Sequence, residues 1–86
     1  MNPMERRDLL LREVYLATDA NSIKTVNPYP EIANRLGIDP DTLMGDVFYL
    51  KDKGLLKIAY KANDGVGAFV NITAHGIDYV QRNKLV

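Results

Sequence analysis

Pro30-Glu31-Ile32-Ala33-Asn34-Arg35-Leu36-Gly37-Ile38-Asp39-Pro40-Asp41 is the stretch that decides the architecture. It reads as a short helix, a tight stop and the start of a second helix. Pro30 suits the first helical turn, and Gly37 suits the residue just past the end. Ile32, Ala33 and Leu36 fall on one face. Asp39 is a good N-cap and Pro40 fits the first helical position. The spacing predicts that this second helix runs through Lys53 and stops at Gly54. Leu43, Val47 and Leu50, at i, i+4 and i+7, give it one narrow apolar stripe.

Upstream, a longer helix is predicted from about Met4 to Thr18, with Leu10, Leu11, Val14, Ala17 and Thr18 on one stripe. Leu9 and Leu16 share a different face. That off-core pair predicts an isologous contact between two copies of the chain, a homodimer. Between the helices, Ile23 to Val26 has the composition of a short strand. Downstream, Leu55–Lys61 and Ala68–Ile72 read as strands around the turn signal Asn63-Asp64-Gly65-Val66-Gly67. Thr73 caps a last helix of about Ala74 to Lys84, in which Gly76 is a weak point for helix propensity. The expected fold is therefore α+β: a three-helix core, a two-stranded hairpin with a possible short third strand, and a C-terminal helix.

The chain has 86 residues, the size of one domain, spanning 1–86. At 47% hydrophobic and 26% charged it has a globular balance. The absence of cysteine removes disulfides and thiolate metal sites and suits the cytoplasm. No signal peptide is expected, and no apolar run approaches the roughly 18 residues of a membrane span. Eleven basic residues balance eleven acidic ones. Dedicated nucleic-acid binders usually carry a basic excess, so the placement of charge matters more than its total.

Three motifs in order carry a resemblance. Ile32-Ala33-Asn34-Arg35-Leu36-Gly37-Ile38 is similar to the first helix and turn of a winged helix-turn-helix domain. Leu50-Lys51-Asp52-Lys53-Gly54-Leu55-Leu56 resembles the end of that family's recognition helix entering the wing. Ile72-Thr73-Ala74-His75-Gly76-Ile77-Asp78-Tyr79-Val80 looks like its strand-to-last-helix junction. The match covers nearly the whole chain and is closest in style to small prokaryotic and viral regulators of the multiple-antibiotic-resistance and PadR-like groups. The resemblance implies a transcriptional regulator that places its second motif helix in the major groove of double-stranded DNA, with the hairpin along the backbone. It assigns Thr42, Gly45 and Tyr49 to the groove, Arg35, Lys53 and Lys61 to phosphates, and Asn63 to the wing tip. Many DNA-binding members place a serine and an arginine where this chain has Met44 and Gly45.

The segment 39–54 carries four aspartates (Asp39, Asp41, Asp46 and Asp52) against Lys51 and Lys53, a net of −2. Acidic charge there repels phosphate at short range. Asp39 and Asp41 suit a helix N-terminus, whereas Asp46 and Asp52 have no such local reason. Phe48 sits at the edge of the core and Tyr49 further out, and together they offer an aromatic face to a partner. The alternative reading is thus a protein-interaction module that does not bind DNA. His75 is the only histidine and has no second ligand for a metal. No base-orienting pair or phosphate loop accompanies the aspartates, so no catalytic site, metal or cofactor is expected.

Overall fold

The computed structural model describes residues 1–21, 25–62 and 67–86. The architecture is α+β, four helices with a two-stranded antiparallel sheet: α1 (Pro3–Asn21), α2 (Glu31–Leu36), α3 (Pro40–Asp52), β1 (Leu56–Lys61), β2 (Ala68–Ile72) and α4 (Ala74–Arg82). No helix among the described residues is long and apolar enough to cross a membrane.

One apolar interior joins all of these elements. Leu10, Leu11 and Val14 of α1 are fully buried, as are Leu43 and Val47 of α3, Val70 of β2 and Val80 of α4. Ile32 and Ala33 close it from α2, and Leu50, Leu55 and Leu56 from the α3–β1 junction. The three side chains of the α3 stripe thus all point inward, as their spacing requires.

Local chemistry sets the ends of the helices. α2 begins at Glu31, one residue later than its proline suggests, and stops where Gly37 takes a φ of 70°. The Ile38 N–H then donates back to the Ala33 carbonyl at 2.9 Å. α3 starts on Asp39, whose carboxylate accepts from the Thr42 N–H at 3.2 Å. It ends in the same manner as α2: Gly54 adopts a φ of 77°, and the Leu55 N–H donates to the Leu50 carbonyl at 2.9 Å. This closing pattern recruits an apolar residue just past each helix, and both Ile38 and Leu55 are buried.

Thr73 does two jobs at the start of α4. Its hydroxyl accepts from the Gly76 N–H at 2.9 Å and donates to the Gly54 carbonyl at 2.6 Å. Gly76 has a packing reason that propensity does not reveal. A Cβ there would lie 2.2 Å from the Leu55 carbonyl oxygen and 2.8 Å from the Ile72 side chain.

In the hairpin, Leu56 pairs with Ile72 and Ile58 with Val70 on the core side. The register then slips between Ile58 and Tyr60, leaving Ala59 as the extra residue of a bulge. On the other edge of β2, Val26 and Val70 exchange two backbone hydrogen bonds of 2.8 Å. The expected strand over 23–26 is therefore represented by Val26, since 22–24 lie outside the described residues. Residues 63–66, where the turn and its wing-tip Asn63 are expected, also lie outside them. α1 extends three residues past Thr18. Leu9 and Leu16 are half-buried within the single chain.

Candidate nucleic-acid interface

α3 turns Leu43, Asp46, Val47 and Leu50 inward. At 3.6 residues per turn, the opposite row is Asp41, Gly45, Phe48 and Asp52, and all four are exposed. Gly45 sits in that row with nothing within 4 Å of where a Cβ would stand. The α3 backbone is therefore bare at its midpoint. Phe48 is 40% exposed and lies outside the core, so it does not fill the core edge as expected.

Asp46 is where the charge reading of the sequence needs correction. It is 1% exposed, the one buried charged residue among those described. Arg6 of α1 grips it with Nε on Oδ2 and with Nη2 on Oδ1 at 2.8 Å. Arg7 Nε adds a bond to Oδ1 at 3.1 Å. The bond to Asp46 holds the Arg6 guanidinium further above its already high ordinary value. The carboxylate therefore opposes no phosphate: two arginines neutralise it on the inner side of α3. The acids that α3 shows to solvent are Asp41 and Asp52, and Lys51 Nζ lies 3.8 Å from Asp52.

The flank of α3 carrying Tyr49 and Lys53 is cationic. The Arg7 guanidinium lies 3.8 Å from the Tyr49 ring centre, and Lys53 Nζ lies 5.7 Å from it. Together they border a groove of about 670 Å³ between α1, α3 and α4, which Arg82 and His75 also line. The groove's carboxylate, Asp8, accepts a 2.9 Å hydrogen bond from the Tyr79 hydroxyl. That bond, with burial, pushes the Tyr79 phenol above its ordinary value.

The expected site residues separate into groups. Tyr49 and Lys53 come together on the groove side of α3, and Gly45, one turn before Tyr49, lies on the adjoining outer row. Thr42 is half-buried and its N–H is engaged by the Asp39 cap, which lowers the Asp39 carboxyl from its ordinary range. Arg35 projects from α2, and its guanidinium is tied to Glu13 of α1 at 2.7 Å. Lys61 is exposed on β1.

Arg7 and Arg82 were not among the residues the sequence nominated. Arg7 stands one helical turn before Leu11, on the same stripe, so an α1 face continuous with the core was the available signal. Comparison of the chain with known family models, curated proteins and solved structures yields no match.

Proposed function

We propose that the chain is a winged-helix domain that binds duplex DNA, with α3 as the groove-facing helix and the hairpin as the wing. The observation that carries this reading is the withdrawal of Asp46 by Arg6 and Arg7, which leaves a cationic flank of Arg7, Lys53 and Arg82 beside an α3 backbone open at Gly45. The order of the elements and the third-strand contact of Val26 on β2 support it further. On this reading Lys53 and Lys61 meet phosphates and Tyr49 packs on a sugar. A homodimer across Leu9 and Leu16 would present two such helices, and sedimentation of the intact chain tests that arrangement.

A second reading has its own observation. The outermost row of α3 contains two carboxylates and Phe48 but no cation, which fits a protein surface with a basic rim. One titration separates the two. Anisotropy of a labelled mixed-sequence duplex at about 50 mM salt should show binding that weakens as salt rises. Lys53→Gln and Lys61→Gln should each reduce the salt slope by about one. Absence of duplex binding at low salt, or indifference to both substitutions, removes the DNA reading and leaves the protein module.

A further inference from the structure

The hairpin carries a second surface, distinct from α3. In strict alternation Tyr60 would share the inner side with Ile58. The bulge at Ala59 moves it to the outer side, where it pairs with Phe69. The two rings stack with centroids 4.6 Å apart and planes 23° from parallel. Lys57, paired with Asn71, stands on the same outer side, whereas Lys61 is paired with the buried Ala68 and belongs to the opposite side. Tyr60 remains 56% exposed, so the ring side away from Phe69 is open. Phe69 in turn borders a recess of about 360 Å³ shared with Tyr29, Glu31 and Arg35. The described residues of the hairpin, 55–62 and 67–72, contain two lysines and no acid.

We propose that this outer hairpin face binds an unpaired nucleic-acid strand, with a base stacked on Tyr60 and a phosphate held by Lys57. A flat open ring beside an exposed ammonium group complements a flat base on an anionic backbone. In a duplex the base faces are covered by their neighbours, so the surface selects strands with free bases. An acidic peptide would satisfy the lysine but leave the ring face unused. The contacts are to base faces and phosphates, which DNA and RNA share, so the sugar does not enter. This binding is independent of the duplex reading of α3.

The test is anisotropy of a labelled oligothymidylate of about twelve nucleotides at about 50 mM salt. An abasic strand of equal length, the matching oligouridylate and polyglutamate serve as comparison probes. The thymidylate should bind, the uridylate should match it within a few-fold, and the abasic strand should bind about tenfold more weakly. Tyr60→Leu keeps apolar bulk without the stacking face and should cost about 5- to 100-fold on the thymidylate but nothing on the abasic strand. Tyr60→Phe should retain binding, and Lys57→Gln should weaken both strands. Circular dichroism of each variant checks its fold. Equal binding of based and abasic strands, a silent Tyr60→Leu, equal competition by polyglutamate, or a sugar preference beyond about tenfold would overturn the proposal. Duplex binding that survives Tyr60→Leu while strand binding is lost separates this surface from α3.

Discussion

Arg6 of α1 and Asp46 of α3, forty positions apart, form a two-pronged ion pair in which one guanidinium donates to both oxygens of a buried carboxylate. The pair is asymmetric. The arginine side chains of Arg6 and Arg7 are 21% and 28% exposed, whereas that of Asp46 is 2% exposed. If the acid is removed, the arginines can return to water. If the arginines are removed, a charge is left stranded inside.

The two directions of mutation should therefore differ. Combined Arg6→Ala and Arg7→Ala should cost about 3–5 kcal/mol, the penalty of an uncompensated buried charge. Asp46→Ala should cost less, about 1–3 kcal/mol. Both are large against the roughly 4–13 kcal/mol expected for a chain of 86 residues. Urea unfolding followed by circular dichroism gives the order, and equal costs would contradict the asymmetry.

One chemical change should act with opposite sign at two glycines. Gly45→Ala adds a methyl into open space in mid-helix and should stabilise the fold by about 0.5–1 kcal/mol. Gly76→Ala drives a methyl against the Leu55 carbonyl and should cost about 1–3 kcal/mol. Thermal melts read both, and a destabilised Gly45→Ala would show that α3 is not open there. If α3 meets DNA closely, the stabilised Gly45→Ala chain should also bind duplex more weakly.

The Tyr79–Asp8 bond makes an alkaline prediction. Because the folded phenol sits above its ordinary value, its contribution is complete below about pH 10 and is lost as pH rises through the raised value. Tyr79→Phe should be less stable near neutrality and should lack that component of the alkaline loss. Urea midpoints of both chains across about pH 8 to 11 test this. Parallel curves would show that the bond contributes nothing.

Asp39 makes the opposite, acidic prediction. Its carboxyl is lowered by the hydrogen bond from Thr42, so its contribution is present above about pH 4 and fades as pH falls through the lowered value. Asp39→Asn keeps an acceptor for the Thr42 N–H but does not titrate. The difference in stability between the wild type and Asp39→Asn should therefore shrink between about pH 5 and pH 2.

The parts of the molecule legible in its sequence are those governed by near neighbours. The stripe of Leu43, Val47 and Leu50, the Asp39 and Thr73 caps and the glycine stops at Gly37 and Gly54 all depend on residues within one or two turns. What was missed depends on distant partners. Asp46 read as a surface acid because its arginines lie in α1, although Arg6 and Arg7 precede Leu10 and Leu11 by one turn and Asp46 sits between Leu43 and Val47. Both charges therefore continued apolar stripes, which is the mark of a buried pair. Gly76 read as a weak helix position because the carbonyl that forbids a side chain belongs to Leu55. At the candidate interface, the resemblance nominated Tyr49 and Lys53, one turn apart on α3, but the Arg7 guanidinium over the Tyr49 ring came only with the packing of α1 on α3.

The bulge at Ala59 has a consequence for how this surface is inherited. Deleting that alanine would place Tyr60 directly after Ile58 and still opposite Phe69, now in ordinary alternation. Tyr60 would keep its outward place and Lys61 its place opposite Ala68. The aromatic character of the ribbon's outside is thus written as a choice of residues and tolerates a change in their count. Loss of a single codon would straighten the strand and leave the stacked pair as it is.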